Sequence, residues 1–257
     1  MPPAPPTAPN ASATTHSAAQ RGRQAAGMAA AAHIQSGMVV GLGTGDTAAA
    51  FIRALADRVR HREVSDLRCV ATSLRSAQLG RELGLLVVEL DDLPTTAAHP
   101  IDITVDGADE ISPQLQLTKG AGGALLFEKL VARCSRQLII VADPAKLVAR
   151  IGEQRRLPVE IVPFGSRHTL ASILRTHRVQ AADLRMADTV KPYVTDGGHY
   201  IVDVQITPAD APQAATLHAQ LKALPGVVET GLFLQEAALA LIGDGDGQVR
   251  QLPRPTP

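Results

Sequence analysis

The stretch IDITVDGADE, residues 101–110, joins a short apolar segment to a turn that carries three carboxylates. The branched apolar residues over 101–105 predict a buried strand. Asp106, Asp109 and Glu110 follow at its carboxyl end. Ligands of parallel α/β sheets bind outside the carboxyl ends of the strands, so we expect these carboxylates at a functional site.

The three carboxylates leave more than one interpretation open. Clustered carboxylates repel one another, which raises the pKa of at least one member of such a group and suits proton-transfer chemistry. A metal site or a plain solvated acidic turn is the alternative. The metal site is less favoured, because no nearby His or further carboxylate completes a ligand set.

Outward from this strand, apolar strand-like segments alternate with helical patterns. Further strands are predicted over residues 38–42, 67–71, 84–90 and 137–142, and helices over residues 24–34, 48–59, 73–83 and 124–133. Such alternation predicts an α/β domain with a parallel or mostly parallel sheet that is covered on both faces.

The pattern changes after about residue 152. Strands are predicted over 158–162, 195–205 and near 227, helices over 166–177 and 211–224, and a hairpin turn at Gly197-Gly198. These elements predict a smaller inserted α+β domain, after which segments 232–234 and 238–242 return to the first sheet. The expected division is a disordered N-terminal extension (1–20), the α/β domain (21–153 plus 231–252), the small domain (154–230) and a tail (253–257).

The turn GLGTGDT, residues 41–47, lies between a predicted strand and a predicted helix. Its glycines let backbone N–H groups converge on an anion at a helix N-terminus, and Thr44 and Thr47 add hydroxyl donors. It matches neither the dinucleotide fingerprint nor the Walker loop, so a small phosphate group is the better hypothesis. The alternative is a tight turn capped by Asp46 or Thr47.

Two further segments carry charged residues at positions that suit a catalytic or binding role. In KGAGGALLFEK, residues 119–129, Lys119 opens a Gly-rich loop and Glu128 lies in an apolar helix. Lys119 and the loop amides can stabilise an oxyanion, and burial would raise the pKa of Glu128 toward that of a general base. Lys146 follows the strand at 137–142. A surface Glu paired with Lys, and a solvated Lys146, are the alternatives.

Composition narrows the possible partners. Formal net charge is zero, which gives no reason to expect nucleic acid or an anionic membrane as a partner. Aromatic residues make up 2% with no Trp, so hydrogen bonds and charge must hold any bound sugar. Neither a membrane-spanning run nor a signal peptide is expected, and two cysteines without disulfide or metal spacing favour the cytoplasm. The acid-poor residues 1–20 would also suit an organelle transit peptide.

Together with residues 157–160, 194–198 and 224–233, these segments resemble the type A ribose-5-phosphate isomerases over roughly residues 20–250. The resemblance implies an α/β domain with an inserted ferredoxin-like α+β domain and no metal or organic cofactor. It also implies a homodimer or homotetramer that interconverts D-ribose 5-phosphate and D-ribulose 5-phosphate in the non-oxidative pentose phosphate pathway.

The resemblance also implies residue roles. Glu128 would be the catalytic base of a cis-enediolate proton transfer, Lys119 and Asp109 would manage the oxyanion and the hydroxyl proton, and Asp106 would assist ring opening. The implied substrate-binding residues are Thr44, Gly45, Asp46, Thr47, Asp106, Gly107, Ala108, Asp109, Lys119, Gly120, Ala121, Gly122 and Lys146.

The chain departs from the family pattern at three places. Asp46 stands where serine is usual, Ala121 where glycine is usual, and Leu126-Phe127 where polar residues are common. We expect Asp46 to cap the helix that begins near Thr47. The competing functions are another sugar-phosphate isomerase or deaminase, and a sugar-phosphate sensor without catalysis. A sensor would be expected to lose the base, whereas Glu128 is present.

Overall fold

A computed structural model of the chain describes residues 11–255. The helices are α1 Ala11–Ala31, α2 Asp46–Arg60, α3 Leu74–Glu82, α4 Leu125–Arg133, α5 Ser166–Leu174 and α6 Ala211–Lys222. The strands are β1 Val39–Leu42, β2 Arg68–Ala71, β3 Ile101–Asp106, β4 Glu110–Ile111, β5 Leu117–Thr118, β6 Ser135–Ala142, β7 Leu157–Ile161, β8 Val179–Leu184, β9 Tyr200–Ile206, β10 Val227–Thr230, β11 Leu232–Phe233, β12 Ala237–Gly243 and β13 Val249–Pro253.

The largest sheet has six strands in the order β13-β12-β6-β3-β1-β2. All neighbours pair in parallel except β12 and β13, which confirms the mostly parallel α/β fold. Successive strand side chains point to opposite faces, so Val40 packs in the cluster that contains Phe51 of α2, whereas Val39 packs in the cluster that contains Val131 of α4. Both faces are therefore covered, and β3 lies in the interior of the sheet.

A second sheet has the antiparallel order β10-β7-β9-β8. Along the chain its elements run β7-α5-β8-β9-α6-β10, the split βαβ arrangement of ferredoxin-like domains. Ile173 of α5 and Leu217 and Leu221 of α6 are buried with the inner side chains of this sheet. The smaller α+β unit predicted from the sequence is confirmed.

Three details of the strand prediction were wrong. Residues 84–90 form only one bridge, between Val87 and Cys69, because the chain leaves the sheet edge at a 3-10 turn capped by Glu89. The segment that begins at Leu232 pairs with β5 in a small third sheet, β11-β5-β4, and not with the six-stranded sheet. Pro253, predicted to open the tail, ends edge strand β13.

The N-terminal boundary also differs from the prediction. Helix α1 begins at Ala11, inside the segment 1–20 that sequence analysis assigned to a disordered extension, while residues 1–10 lie outside the described residues. Alanine has the highest helix propensity of all residues, which favours a helix in this Ala-rich stretch. The helix also approaches the sheet closely at Gly22, where a Cβ would lie 2.5 Å from the carbonyl oxygen of Gly243.

The buried carboxylate of Glu110 on β4 ties the small third sheet to the segment that leads into β7. Its side chain accepts hydrogen bonds from the backbone N–H groups of Gly152 (2.7 Å), Gln154 (2.6 Å) and Arg155 (2.9 Å). The Thr118 hydroxyl adds a fourth at 3.2 Å. Glu110 therefore fixes the segment that leads into β7 and the small domain.

Replacing Glu110 by Gln should destabilise the fold, because an amide N–H₂ group would face backbone N–H donors. We expect the free energy of unfolding to fall by about 2–4 kcal/mol, as measured by urea denaturation. The control is Glu82→Gln on the exposed face of α3, where the carboxylate accepts only from Gln78. Equal stability of the two variants would contradict this role for Glu110.

Candidate active site

A cavity of about 150 Å³ opens beyond the carboxyl ends of β1, β3 and β6. Twelve of the residues that sequence analysis proposed line it: Thr44, Gly45, Asp46, Thr47, Gly107, Ala108, Asp109, Lys119, Gly120, Gly122, Glu128 and Lys146. Two proposed residues do not line it. Asp106 lies behind Lys119, and Ala121 lines a separate depression on the other side of its loop.

Asp106 is the point where the first two sequence motifs meet. One carboxylate oxygen accepts from the N–H groups of Thr44 (2.9 Å) and Gly107 (2.7 Å). Gly43 makes this approach possible, because a Cβ there would lie 2.3 Å from the same oxygen. The turn after β1 is thus built against the end of β3.

Lys119 follows β5 directly and is almost completely buried. Its ammonium nitrogen lies 3.1 Å from Asp106 Oδ2 and 3.0 Å from Glu128 Oε1, and it donates to the carbonyl oxygen of Gly107 at 2.5 Å. Glu128 reaches this point from the first turn of α4. A single cation is therefore shared by two buried carboxylates.

Burial and the nearby charges set the protonation of this group. Burial raises the pKa of Glu128 to about 8, helped by the negative charge of Asp106 and opposed by Lys119. Burial also lowers the pKa of Lys119, but Asp106 and Glu128 together outweigh burial and raise it above its ordinary value. Lys119 thus stays charged at neutral pH, whereas Glu128 exchanges its proton near pH 8 and can serve as a base.

The glycine-rich loop that follows Lys119 forms one wall of the cavity. Gly120 and Gly123 have φ values of 103° and 84°, which only glycine adopts readily. The N–H of Ala121 donates to Asp109 Oδ2 at 2.9 Å, and the N–H of Asp109 donates to the carbonyl of Thr118 at 2.8 Å. Asp109 is therefore held between the loop and β5.

A set of hydroxyl groups beside Thr44 was not found from the sequence. The Thr44 hydroxyl lies 2.8 Å from the hydroxyls of both Thr72 and Ser73, and Ser76 donates to the carbonyl of Gly43 at 2.6 Å. The sequence feature that could have predicted them is the Thr72-Ser73 pair, which directly follows β2 at the same carboxyl edge of the sheet as the other motifs. These residues fix the rotamer of Thr44 and the shape of the turn.

The expected capping role of Asp46 was wrong. Gly45 is the N-cap of α2 and Asp46 is the first helical residue, with no side-chain cap bond. The Asp46 carboxylate instead lies 3.1 Å from Nη1 of Arg23 on α1, and both residues line the cavity. Arg23 was missed because α1 comes to this edge only through tertiary packing, with Arg21 donating to the carbonyl of Gly245 at 2.8 Å.

The remaining charged residues divide into two groups. Lys146 lies at the cavity in a 3-10 turn after β6, capped by Asp143, which accepts from Ala145 N–H at 3.0 Å. Glu110 does not join Asp106 and Asp109, because it turns away to bind the segment before β7.

Among residues 11–255, no group of three or more His, Cys, Asp and Glu side chains is arranged to hold a metal ion. Within the same range, none of the helices has the length and apolarity needed to cross a membrane.

The chain is similar to known proteins over most of its length. The family model of ribose 5-phosphate isomerase A (phosphoriboisomerase A) matches residues 68–247. A ribose-5-phosphate isomerase A of Caulobacter sp. (strain K31) is 46% identical over 234 residues, which cover 90% of this chain and 97% of the relative. The chain belongs to the ribose 5-phosphate isomerase A family.

Solved structures of the ribose 5-phosphate isomerase A family share the fold. The enzyme of Plasmodium falciparum superposes with a TM-score of 0.85 at 31% identity, covering 92% of this chain and 100% of that one. A D-ribose-5-phosphate isomerase in complex with phospho-erythronic acid superposes with a TM-score of 0.85 at 32% identity, covering 92% and 99%. The region matched by the family model contains Asp106, Lys119 and Glu128, whereas the turn at Thr44 lies before it.

Glu128 should titrate near pH 8. Carbon-13 NMR of protein labelled at glutamate carboxyls should show one resonance with this midpoint, and Glu128→Gln should remove it. Asp106→Asn should move the midpoint to lower pH, because it removes a negative charge that raises this pKa. A Glu128 resonance that titrates near its ordinary value of 4.5 would contradict the effect of burial.

Proposed function

We propose that the chain interconverts ribose 5-phosphate and ribulose 5-phosphate with Glu128 as the catalytic base. The observation that carries the proposal is the buried carboxylate of Glu128, poised near pH 8 and 3.0 Å from the permanent cation Lys119. Both line a cavity whose other walls include backbone amides, hydroxyls, three aspartate side chains and two further cations. Family membership supports the same reaction.

The reaction moves one proton between two neighbouring carbons. In the open-chain aldose, Glu128 takes the proton from C2 while electron density moves onto the C1 carbonyl oxygen, which gives a cis-enediolate. The protonated Glu128 then returns the proton to C1 while the C2 hydroxyl proton passes to the C1 oxygen, so that the C2 oxygen becomes the ketone. Such a carbon acid is too weak for a carboxylate alone, so Lys119 stabilises the developing oxyanion.

Asp106 and Asp109 take different supporting roles in this proposal. Asp106 is only 1% exposed, and its carboxylate is occupied by Lys119 and two backbone N–H groups. Its assistance to ring opening and proton transfer is therefore exerted through Lys119. Asp109 lines the cavity and is oriented by the Ala121 N–H, so it is the carboxylate that exchanges a proton with a substrate hydroxyl.

The phosphate group is proposed to bind at the N-terminus of α2. Residues 45–47 present backbone N–H groups there, and the helix dipole favours an anion. Arg23 and Lys146 add positive charge on the walls of the same cavity. A structural relative holds phospho-erythronic acid, a phosphorylated sugar acid, which agrees with a site that accepts a phosphate and a planar carboxylate or enediolate.

The proposed setting follows the family. We place the enzyme in the cytoplasm and in the non-oxidative pentose phosphate pathway, as a homodimer or homotetramer without a metal or organic cofactor. Large exposed apolar side chains support an assembly, with Phe164 93% exposed and Val190 78% exposed. Sedimentation of the purified protein tests the assembly state.

Glu128→Gln should abolish isomerisation without removing the fold. Loss of the base should lower kcat by about 10²–10⁴-fold, while the phosphate contacts keep KM within a few-fold. The assay follows ribulose 5-phosphate formation without added metal, with Glu82→Gln as the surface control. Wild-type protein that binds ribose 5-phosphate without converting it would indicate a sensor, and turnover that survives the substitution would exclude Glu128 as the base.

Asp46→Ser should lower KM for ribose 5-phosphate by several-fold and leave kcat nearly unchanged. The substitution removes a negative charge from the proposed phosphate site and frees Arg23, and the pair is worth little itself because both side chains are exposed to solvent. Asp57→Ser on the same helix is the control, since Asp57 pairs only with its neighbour Arg60. An increase in KM would mean that Asp46 holds Arg23 in its binding position.

A further inference from the structure

The loop of residues 120–123 is held from outside the cavity by Arg185, a residue of the small domain. Arg185 directly follows β8, and its Nη1 donates to the carbonyl oxygens of Gly120 at 3.0 Å and Ala121 at 3.1 Å. Sequence analysis did not single out Arg185, which lies more than sixty residues from this loop. The contact joins the antiparallel sheet directly to the wall of the active site.

Arg185 is itself fixed on its other side. Its Nε donates to Asp203 Oδ2 at 2.8 Å, and Nη2 pairs with the second oxygen of the same carboxylate, which makes a bidentate pair with β9. The guanidinium also lies 5.8 Å from the centre of the Tyr193 ring. Arg185 is 16% exposed, so the group is largely shielded from water and its orientation is well determined.

The peptide geometry connects this contact to the chemistry. In a trans peptide the C=O of one residue and the N–H of the next point in opposite directions. The Gly120 carbonyl points to Arg185, so the Ala121 N–H points the other way, and it donates to Asp109. The Ala121 carbonyl also points to Arg185, which turns the N–H of Gly122 toward the side where Gly122 lines the cavity.

We propose that Arg185, oriented by Asp203, is a positioning residue that holds two successive peptide planes so that their N–H groups face Asp109 and the enediolate. This inference rests on the proposed function, because it assigns the Gly122 N–H to an oxyanion that forms only during isomerisation, while the Ala121 N–H orients Asp109. Donors held in place before the reaction stabilise a developing charge without reorganisation. The small domain thereby contributes to catalysis without contacting the substrate.

Tyr193 binds the same loop at the next residue, Gly122. Its hydroxyl donates to the carbonyl of Gly122 at 3.4 Å, and a Cβ at Gly123 would lie 2.2 Å from that hydroxyl oxygen. Three consecutive carbonyls, from Gly120 to Gly122, are thus engaged by the small domain. The small domain binds only carbonyl oxygens of this loop. The side of the loop that faces the cavity is left for the substrate.

The neighbouring pair of Arg156 and Asp183 provides a matched control. It joins the start of β7 to β8 across the same domain, and both side chains are more exposed than those of Arg185 and Asp203. Its guanidinium donates to the Asp183 carboxylate and not to the loop. Removing Arg156 changes the charge by the same amount and breaks its bond to Asp183, but no hydrogen bond to residues 120–123.

The test compares Arg185→Met, Arg185→Lys and Arg156→Met with the wild type. Steady-state kinetics gives kcat and KM for ribose 5-phosphate, and calorimetric titration gives the Kd of phospho-erythronic acid. We expect Arg185→Met to lower kcat by about 10–100-fold and to weaken phospho-erythronic acid by a similar factor, with KM within about threefold. Arg185→Lys should be intermediate, because one ammonium cannot serve Asp203 and both carbonyls, and Arg156→Met should match the wild type.

Equal kcat in Arg185→Met and Arg156→Met would overturn the proposal, and so would a fall in kcat without loss of affinity for phospho-erythronic acid. If Arg185→Met does not fold, the kcat of Arg185→Lys is the deciding measurement, because this variant keeps a cation at the domain contact. A kcat equal to that of Arg156→Met would then overturn the proposal. Glu128→Gln is measured in the same assay. Wild-type turnover that is lost in Glu128→Gln and intact in both Arg185 variants would sink only the role of Arg185, whereas absent wild-type turnover would sink the isomerase and this role together.

Discussion

The buried ammonium of Lys119, shared by Asp106 and Glu128, is the interaction on which the rest of the site depends. Two carboxylates and one cation leave an excess negative charge in a place that is largely shielded from water. Folding therefore favours the protonated form of Glu128, whose pKa rises from 4.5 to about 8. The stabilising effect of that proton is complete below the unfolded pKa and is lost as pH rises toward 8. The folded protein is less stable with Glu128 ionised, which is the form that the proposed reaction needs as its base.

The same carboxylate of Asp106 links the two ends of the cavity. One oxygen faces Lys119 and the other takes the N–H groups of Thr44 and Gly107. A displacement of Asp106 would therefore move both the proposed phosphate turn and the cation beside the base. This coupling explains why position 43 is a glycine, because any side chain there would enter the space of Asp106. Close approach of β1 and β3 is as much a requirement of the site as the charged groups are.

How much the sequence predicts depends on how local each feature is. The strand at 101–105, its trailing carboxylates and the glycine turns were predictable, because periodicity and turn chemistry are written in consecutive residues. Arg23, the hydroxyls of Thr72 and Ser73, and Arg185 were not, because only the packing of remote segments brings them to the cavity. Strand β8 was missed because Gln180, Ala181 and Asp183 are weak strand formers that rely on pairing with β9. The turning away of Glu110 depends on donors more than forty residues later.

The departures from the family pattern acquire a physical meaning in this setting. Ala121 does not have a positive φ, unlike Gly120 and Gly123, so an alanine there adds no strain and reduces the freedom of the unfolded loop. Phe127 lies against Gly197 of the small domain, where a Cβ would be 3.5 Å from its ring. On the same hairpin, Asp196 accepts from the N–H of Leu74 at 2.8 Å. The apolar residue before Glu128 thus adds to the contacts that place the small domain beside Glu128.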